Sequence, residues 1–252
     1  MGERMKIELD VNGFKYDATY TEKEIEKIVK PLIHKFQALK DQYNRRLIIF
    51  LAAPPAVGKS TFSIFMERFS REMENVLPIQ HLSLDGFHYP NKYLKNNKIK
   101  MAGEEICLTD IKGMPETFDL EKFISYLERL KEGNTKWPIY DRQLHDVVMD
   151  QVDVTSEIVL IEGNWLLLDE PGWRGLKEKC DYSIFIRAAE EQLKERLINR
   201  KIKGGLTLKE ATDFYERSDG KNIARVMNNQ LDADLVLKLK KTGELKILKG
   251  EL

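Results

Sequence analysis

The sequence is poor in cysteine and has no excess charge of either sign. Cys107 and Cys180 are its two cysteines in 252 residues, and they form no Cys-x-x-Cys pair. This argues against a disulfide framework and against a cysteine-based zinc or redox site. Basic and acidic residues number 41 each, so the net charge gives no reason to expect nucleic acid or an anionic membrane as a partner.

Long apolar runs are also lacking. No run approaches the roughly 20 residues that span a bilayer, and the N-terminal Met-Gly-Glu-Arg has no apolar signal-peptide core. We therefore expect a cytoplasmic protein without a membrane partner. With 42% hydrophobic and 33% charged residues, the chain has the composition of one sizeable α/β core with an appendage.

The first 45 residues are predicted to form a hairpin followed by a helix. Asn12-Gly13 is a strong tight-turn pair between two short strand-like runs. Thr21 and Glu24 have the spacing of a helix capping box. An apolar stripe follows at Ile25, Ile28, Val29, Leu32, Ile33 and Phe36. We therefore treat residues 1–45 as an appendage that packs on the core and residues 46–252 as the main domain.

The most informative segment is an apolar run from Leu47 that leads into Ala53-Pro-Pro-Ala-Val-Gly-Lys-Ser-Thr61. It is close to the phosphate-loop pattern G-x-x-x-x-G-K-[ST]. In that pattern backbone N–H groups surround phosphate oxygens, the lysine reaches the β- and γ-phosphates, and the hydroxyl binds Mg²⁺. Ala53 replaces the first glycine, and the two prolines offer no N–H. These departures are tolerable because the donors are expected from Val57 to Thr61.

A helical pattern follows the loop at once, as an anion site at a helix N-terminus requires. The apolar positions are Phe62, Phe65, Met66, Phe69 and Met73. The alternative is a chance Gly-Lys-Ser between a buried strand and an ordinary helix. We predict a nucleotide site. Its residues are Ala56, Val57, Gly58, Lys59, Ser60 and Thr61.

Strand patterns alternate with helix patterns along the rest of the chain. The segments are strands at 79–84, 158–161 and 182–186, a helix at 120–130, and a closing strand or hairpin from 233–239 and 245–248. This alternation predicts an α/β fold with a doubly wound, mostly parallel sheet. Ligands bind at the carboxyl ends of such strands. We therefore expect Ala53, Asp85 and Glu162 around one crevice.

Two acidic residues follow apolar strands. Asp85 precedes Gly86-Phe87-His88-Tyr89, and a carboxylate there suits a base that takes a hydroxyl proton close to Mg²⁺. Asp-Gly is also a common turn pair, and the segment alone leaves both interpretations open. Glu162 is the candidate second acid, which holds Mg²⁺ directly or through water. The alternative interpretation is that Glu162 ends a buried strand only for solubility.

Other polar residues are candidates for substrate or phosphate contacts. His88 and Tyr89 follow Asp85, while Lys112, Arg142 and His145 lie in polar clusters at segment boundaries, where solvated surface is the alternative.

Arg196 and Arg200 are one helical turn apart near the end of a predicted helix. Arginines that close over phosphates stabilise the transferring group, whereas cations at a helix C-terminus also suit its dipole. Both interpretations stay open for Arg196, and for Arg200 we favour the phosphate-binding lid.

Several of these segments, in order, resemble the uridine kinase, phosphoribulokinase and bacterial pantothenate kinase group of phosphate-loop (P-loop) kinases. The resemblance covers most of the chain from Leu47 onward. The segments that carry it are Gly58 to Thr61, Asp85 to Asn91, Lys112-Gly113, Pro115 to Asp119, Pro138, Tyr140, Glu162 to Asn164, Arg196 and Arg200.

The resemblance implies a P-loop kinase fold and transfer of the ATP γ-phosphoryl group to an alcohol on a small metabolite. It also implies that Asp85 is the catalytic base, that Ser60 is a magnesium ligand, and that Lys59 and Arg200 stabilise phosphate. Asn222 is implied to lie near the nucleotide. We assign Tyr140 and Asn164 to the substrate and take Asp85 and Glu162 with Ser60 as the metal-binding set. Members of the group often form homodimers.

The sequence thus predicts an enzyme, a kinase that uses ATP and Mg²⁺ on a sugar, a nucleoside or a pantothenate-like molecule. The alternative is a nucleotide-dependent regulatory or binding protein with little turnover. A guanine-specific switch is disfavoured because Asn91-Lys92-Tyr93-Leu94 lacks the aspartate of Asn-Lys-x-Asp. The segment Lys95–Ile111 is longer than the corresponding loop of typical members, which leaves the acceptor open.

Overall fold

The computed structural model describes residues 4–11, 14–101 and 103–252. An antiparallel hairpin comes first, formed by β1 (Arg4–Val11) and β2 (Phe14–Thr21). The predicted Asn12-Gly13 turn lies outside the described residues. A helical stretch follows as α1 (Glu22–Glu24), a π-helical turn (Ile25–Val29) and α2 (Lys30–Lys40). The predicted capping box is present: the Glu24 N–H donates to Thr21 Oγ1 at 3.2 Å, and the Thr21 N–H donates to Glu24 Oε2 at 2.9 Å.

The phosphate-loop segment lies between a buried strand and a helix, as the sequence predicts. The elements are β3 (Leu47–Ala52), α3 (Lys59–Glu72) and β4 (Ile79–Ser83). All six residues of β3 are buried, because a central strand is covered on both faces. Phe62, Phe65, Met66 and Phe69 form the buried stripe of α3, while Met73 lies one residue beyond its end.

The middle of the chain is richer in strands than the sequence indicated. Its elements are α4 (Asn91–Asn96), β5 (Lys98–Met101), β6 (Glu104–Cys107), α5 (Leu120–Glu132), β7 (Thr135–Asp141) and β8 (Asp146–Val154). The strands pair antiparallel as β5 with β6 and β7 with β8. The long segment 95–111 therefore contains a hairpin, and the polar cluster that begins at Pro138 lies within β7 and its turn.

The last part of the chain supplies strands, helices and the closing hairpin. Its elements are β9 (Ile158–Gly163), β10 (Tyr182–Arg187), α6 (Glu190–Lys203), α7 (Leu208–Phe214), a π-helical turn (Tyr215–Asp219), α8 (Gly220–Asn228), β11 (Leu235–Leu239) and β12 (Leu245–Lys249).

The central sheet has six strands in the order β12-β11-β10-β3-β9-β4. The pairs β3 with β9, β3 with β10, and β10 with β11 are parallel, and β12 runs antiparallel to β11. The predicted doubly wound, mostly parallel sheet is confirmed, and so is the hairpin and helix that precede it. Within the described part of the chain, no helix combines the length and apolar character needed to cross a membrane.

The chain divides into two compact units, one formed by Met1–Leu82 with Ser156–Leu252 and the other by Ser83–Thr155. The core of the first unit includes residues of the hairpin and of α2, and the Tyr20 ring lies 4.0 Å from that of Phe65. The second unit has an aromatic core. The centre of the Phe87 ring lies 5.1 Å from that of Phe123 and 4.8 Å from that of Trp137. We call these the sheet unit and the middle unit.

Candidate active site

The loop after β3 has the backbone of an anion cradle. Gly58 has a φ of +102° and caps the N-terminus of α3, a conformation that glycine adopts at little cost. The first helical bond runs from the Phe62 N–H to the Gly58 carbonyl at 2.9 Å. Ala56 also has a positive φ, +63°, which is unusual for a residue with a Cβ. The helix N-terminus thus begins where the loop ends, which favours an anion there.

Three predicted residues meet next to this loop. The Ser60 hydroxyl donates to Glu162 Oε1 at 2.8 Å, and Lys59 Nζ lies 3.7 Å from Glu162 Oε2. The contact follows from the sheet, because β9 pairs in parallel with β3 and places Glu162 opposite Leu51. Hydroxyl and carboxylate oxygens are ligands that Mg²⁺ prefers. Within the described residues there is no group of three or more His, Cys, Asp or Glu side chains able to hold a metal.

The two arginines of α6 have different surroundings. Arg196 Nη1 donates to the carbonyl oxygens of Ala56 and Val57, both at 3.2 Å, and burial lowers the pKa of its guanidinium from the usual value. Arg200 is exposed. Burial raises the pKa of Asp219, while the positive charges of Lys201 and Arg200 act in the opposite direction. Arg196 therefore braces the loop, and Arg200 is accessible to a ligand.

Asn164 and Asn222 also belong to the sheet unit. Asn164 directly follows β9, and Asn222 is buried on α8. Their side-chain oxygens are both buried and have no hydrogen-bond partner within the described residues.

Asp85 lies in the middle unit, in a 3₁₀ turn (Leu84–Phe87) directly after β4. Its N–H donates to Ser83 Oγ at 3.2 Å, and its carboxylate lies 3.7 Å from an Arg142 guanidinium nitrogen. Both side chains of this pair are partly exposed. Gly86 is tightly packed, since a Cβ built on it would lie 2.2 Å from the Pro138 carbonyl oxygen. The close approach of two backbones explains the glycine after Asp85.

His88 is buried and holds the Asp85 backbone. Its Nδ1 is 2.9 Å from the Asp85 carbonyl oxygen, so Nδ1 carries the hydrogen, and its ring lies 3.8 Å from that of Phe118. Burial lowers the pKa of His88. The charge of Asp85 and the hydrogen bond to the Asp85 carbonyl oppose this shift, while the charges of Lys112 and Arg142 lower the pKa further.

The turn between β7 and β8 is fixed through a backbone carbonyl. The His145 carbonyl oxygen accepts hydrogen bonds from Tyr140 Oη at 2.7 Å, Asn91 Nδ2 at 2.8 Å and Lys112 Nζ at 3.0 Å. His145 itself has a φ of +53° and an exposed side chain. Lys112 Nζ also lies 4.8 Å from the centre of the Tyr140 ring. Thus Lys112, Tyr140 and His145 are close together, and the first two hold the turn that carries Arg142.

Tyr89 stacks on Tyr93 with ring centres 4.3 Å apart, and its N–H donates to the Thr117 carbonyl at 2.9 Å. Burial raises the pKa of its hydroxyl.

The structure thus forms two clusters from the candidate residues. Lys59, Ser60, Glu162 and Arg196 surround the loop of the sheet unit, and Asp85, His88, Lys112, Tyr140 and Arg142 form a network in the middle unit. Asn91 was part of a motif but had no role assigned from the sequence. Its spacing after Asp85 gave no sign that its amide would bind a backbone carbonyl. The parallel sheet and the helix-capping loop define a P-loop NTPase fold of the kinase type.

Known proteins support this class. No established protein-family model matches the sequence. The chain is 45% identical over 240 residues to the uncharacterized protein YggC of Escherichia coli (strain K12), an alignment that covers 95% of this chain and 98% of that protein. It is 30% identical over 165 residues to a pantothenate kinase of Streptococcus agalactiae, covering 64% of this chain and 51% of the kinase.

Among solved structures, a "putative fructose transport system kinase" from Silicibacter sp. TM1040 has a TM-score of 0.72 and 29% identity, covering 82% of this chain and 98% of that one. The predicted resemblance to the uridine kinase, phosphoribulokinase and pantothenate kinase group of P-loop kinases is confirmed.

Proposed function

We propose that this chain is a kinase that uses ATP and Mg²⁺ to phosphorylate a hydroxyl group of a small metabolite. The observation that carries the proposal is the arrangement at the start of α3, where Ser60 Oγ lies 2.8 Å and Lys59 Nζ 3.7 Å from the Glu162 carboxylate. These three side chains supply a hydroxyl, an ammonium and a carboxylate at a helix N-terminus. Phosphoryl transfer requires such groups to hold a metal and to neutralise phosphate charge.

The residues of the phosphate loop and their neighbours have different roles in binding. Backbone N–H groups from Val57 to Thr61 bind phosphate oxygens, and Lys59 moves from Glu162 to the β- and γ-phosphates. Ser60 and Glu162 would hold Mg²⁺, which would neutralise charge on the phosphate oxygens. Arg200 stabilises the charge of the transferring group. Asn222, on α8, is assigned to the nucleotide, as the resemblance implies.

Asp85 accepts the proton of the attacking hydroxyl. A bond forms between the acceptor oxygen and the γ-phosphorus, the bond from that phosphorus to the bridging oxygen breaks, and ADP leaves. The Arg142 guanidinium lies 3.7 Å from the Asp85 carboxylate. His88 donates to the Asp85 carbonyl and so fixes the backbone from which the carboxylate extends.

Arg142, Tyr140 and Tyr89 are the residues of the middle unit that we assign to the acceptor. Lys112 and the His145 carbonyl keep the turn in place. The names of the relatives, which include pantothenate kinase and uridine kinase, motivate a set of acceptors that contains sugars, nucleosides and pantothenate-like molecules.

Calorimetry with MgATP followed by an ADP-release screen tests the proposal. The screen covers nucleosides, ketoses, aldoses, pentose phosphates and pantothenate. We expect MgATP binding and acceptor-dependent ADP release with at least one class. Absence of MgATP binding would overturn the proposal. Binding without turnover of any acceptor would favour the alternative, a nucleotide-binding protein with little catalysis.

A further inference from the structure

Two cations of the middle unit lie against one aromatic ring. Lys112 Nζ is 4.8 Å from the centre of the Tyr140 ring, and the central guanidinium carbon of Arg142 is 5.9 Å from it. Arg142 also lies 3.7 Å from the Asp85 carboxylate. These contacts connect the proposed base to both cations. We name Asp85, Lys112, Tyr140 and Arg142 the cation cluster.

The cation cluster has more positive than negative charge. Asp85 is its one carboxylate, and Asp85 faces Arg142. Lys112 binds neutral oxygens instead, because its Nζ donates to Asn91 Oδ1 at 2.6 Å and to the His145 carbonyl at 3.0 Å. In the part of the chain that the structure describes, no carboxylate forms an ion pair with Lys112. One positive charge of the cluster is therefore left uncompensated.

Two nearby titratable groups do not pair with the cations. Asp146 binds the backbone, since its Oδ1 accepts from the N–H groups of Asn91 at 3.0 Å and Val147 at 2.9 Å. Burial lowers the pKa of His88, and the charges of both cations lower it further. His88 is therefore mostly uncharged at pH 7 and adds no positive charge to the cluster.

Both cations have donors left for a ligand. An ammonium group has three N–H donors, and Lys112 uses two of them. A guanidinium group has five, and the 3.7 Å contact of Arg142 with Asp85 is longer than a hydrogen bond. The Arg142 side chain is also 44% exposed. A ligand can thus reach the cation cluster and accept hydrogen bonds from both of its cations.

The charge of Lys112 is not needed to hold the turn. A neutral amide could donate to the same oxygens, whereas a half-buried ammonium loses part of its hydration. Two cations against one ring also repel each other, although contact with the ring offsets part of this cost. A carboxylate or a phosphate would compensate the excess charge, because these groups accept charge-assisted hydrogen bonds from lysine and arginine.

We propose that the phosphate acceptor carries an anionic group, a carboxylate or a phosphate, and that Lys112 and Arg142 bind this group. The inference rests on the proposed kinase function and narrows its acceptor to an anionic metabolite with a free hydroxyl. It gives Lys112 a role toward the substrate in addition to its role in the turn after β7. Nucleosides and free sugars lack such a group, so the inference separates acceptor classes that the names of the relatives leave open.

Matched pairs of acceptors test the inference. The members of each pair differ in an anionic group: pantothenate with panthenol, D-gluconate with D-glucitol, and D-ribose 5-phosphate with D-ribose. The first two pairs test a carboxylate and the third tests a phosphate. In at least one pair we expect kcat/KM of the parent protein to be higher for the anionic member by about tenfold or more, as for the loss of a hydrogen bond to a charged group.

Variants of Lys112 separate substrate binding from support of the turn. Lys112→Gln removes the charge but keeps N–H donors for the turn. Its kcat/KM for the preferred anionic acceptor should fall about tenfold, mainly through KM, while kcat/KM for the neutral member and the calorimetric Kd for MgATP stay near the parent values. Lys112→Arg keeps the charge and should recover most of the loss. Lys98→Gln, at an exposed position of β5 in the same unit, is the matched control and should resemble the parent.

Two results would overturn the inference. One is phosphorylation of nucleosides or neutral sugars without a preference for the anionic member of any pair. The other is an equal loss of kcat/KM for both members of a pair in Lys112→Gln, which would show that Lys112 only holds the turn. If the parent binds no MgATP, or releases ADP with none of the acceptors, the kinase function itself is wrong and this inference fails with it.

Discussion

Arg196 donates from Nη1 to the carbonyl oxygens of both Ala56 and Val57, each at 3.2 Å. Ala56 has a φ of +63°, a left-handed conformation that costs a residue with a Cβ roughly 1–2 kcal/mol. The Arg196 guanidinium binds both carbonyl oxygens and so holds them away from an anion in the loop. These hydrogen bonds offset the cost of the left-handed conformation of Ala56. Arg196 is therefore a positioning residue for the phosphate loop.

The first prediction concerns this brace. Arg196→Met should weaken MgATP binding at least tenfold, because the loop loses the donor that fixes its carbonyls. Adding Ala56→Gly should recover part of the loss, since glycine adopts the left-handed conformation at little cost. Calorimetric Kd values for MgATP measure both effects. Lys203→Met, an exposed change on the same helix, is the control, and parent-like affinity of Arg196→Met would contradict the prediction.

The second prediction concerns the base. Asp85→Asn removes the proton acceptor with little change in shape, so turnover should fall by about 10²–10⁴ while MgATP affinity is retained. Steady-state ADP release with the best acceptor from the screen measures the change. Asp110→Asn, at an exposed position of the same unit, should leave the rate unchanged. Parent-like turnover by Asp85→Asn would show that another group takes the proton.

The third prediction concerns the glycine after the base. A Cβ at Gly86 would lie 2.2 Å from the Pro138 carbonyl oxygen, so Gly86→Ala forces two backbone segments apart. Overpacking of this kind costs about 1–3 kcal/mol. Urea unfolding should show a lower midpoint, and kcat should fall because Asp85 moves. Gly133→Ala is the control, since its Cβ would meet no atom within 4 Å. Equal midpoints for the two variants would contradict the assigned contact.

The fold could be predicted from sequence mainly where burial imposes a simple pattern. β3 and β9 are continuous apolar runs because both faces of a central strand are covered, and these strands position Glu162 beside Ser60. The hairpin of β5 and β6 was not predicted. The side chains of β5 alternate between exposed and partly buried, whereas β6 has two exposed residues followed by two partly buried ones. The lysines and asparagines around the hairpin are also typical of a loop.

Backbone groups explain what the sequence could not show in the site. The side-chain types of Lys112, Tyr140 and His145 marked all three as candidates for substrate contacts. The atom that connects them, however, is the His145 carbonyl oxygen, which accepts hydrogen bonds from Lys112 and Tyr140. Similarly, Arg196 was recognised as a cation on a helix, while its partners are two loop carbonyls. The π-helical turn that ends at Asp219 also has no distinct residue pattern, because it inserts one residue into an otherwise helical periodicity.

The fourth prediction concerns pH and His88. Burial depresses the folded-state pKa of His88 below the unfolded value of about 6.5. Between these two pKa values the unfolded chain binds more protons than the folded one, so stability falls as the pH drops below about 6.5 and is unaffected above it. The slope in that window cannot exceed ~1.4 kcal/mol per pH unit for one proton. Urea unfolding from pH 8 to 5 should show this loss in the parent protein.

His88→Phe keeps an aromatic ring against Phe118, whose ring lies 3.8 Å from that of His88, but has no proton to bind. The variant should be less stable at pH 8, because the Asp85 carbonyl loses its donor, and its stability should decline less between pH 6.5 and pH 5. His34→Gln, at an exposed position of α2, should keep the parent's pH dependence. An identical decline in His88→Phe and the parent would show that other groups, and not His88, cause the acid sensitivity.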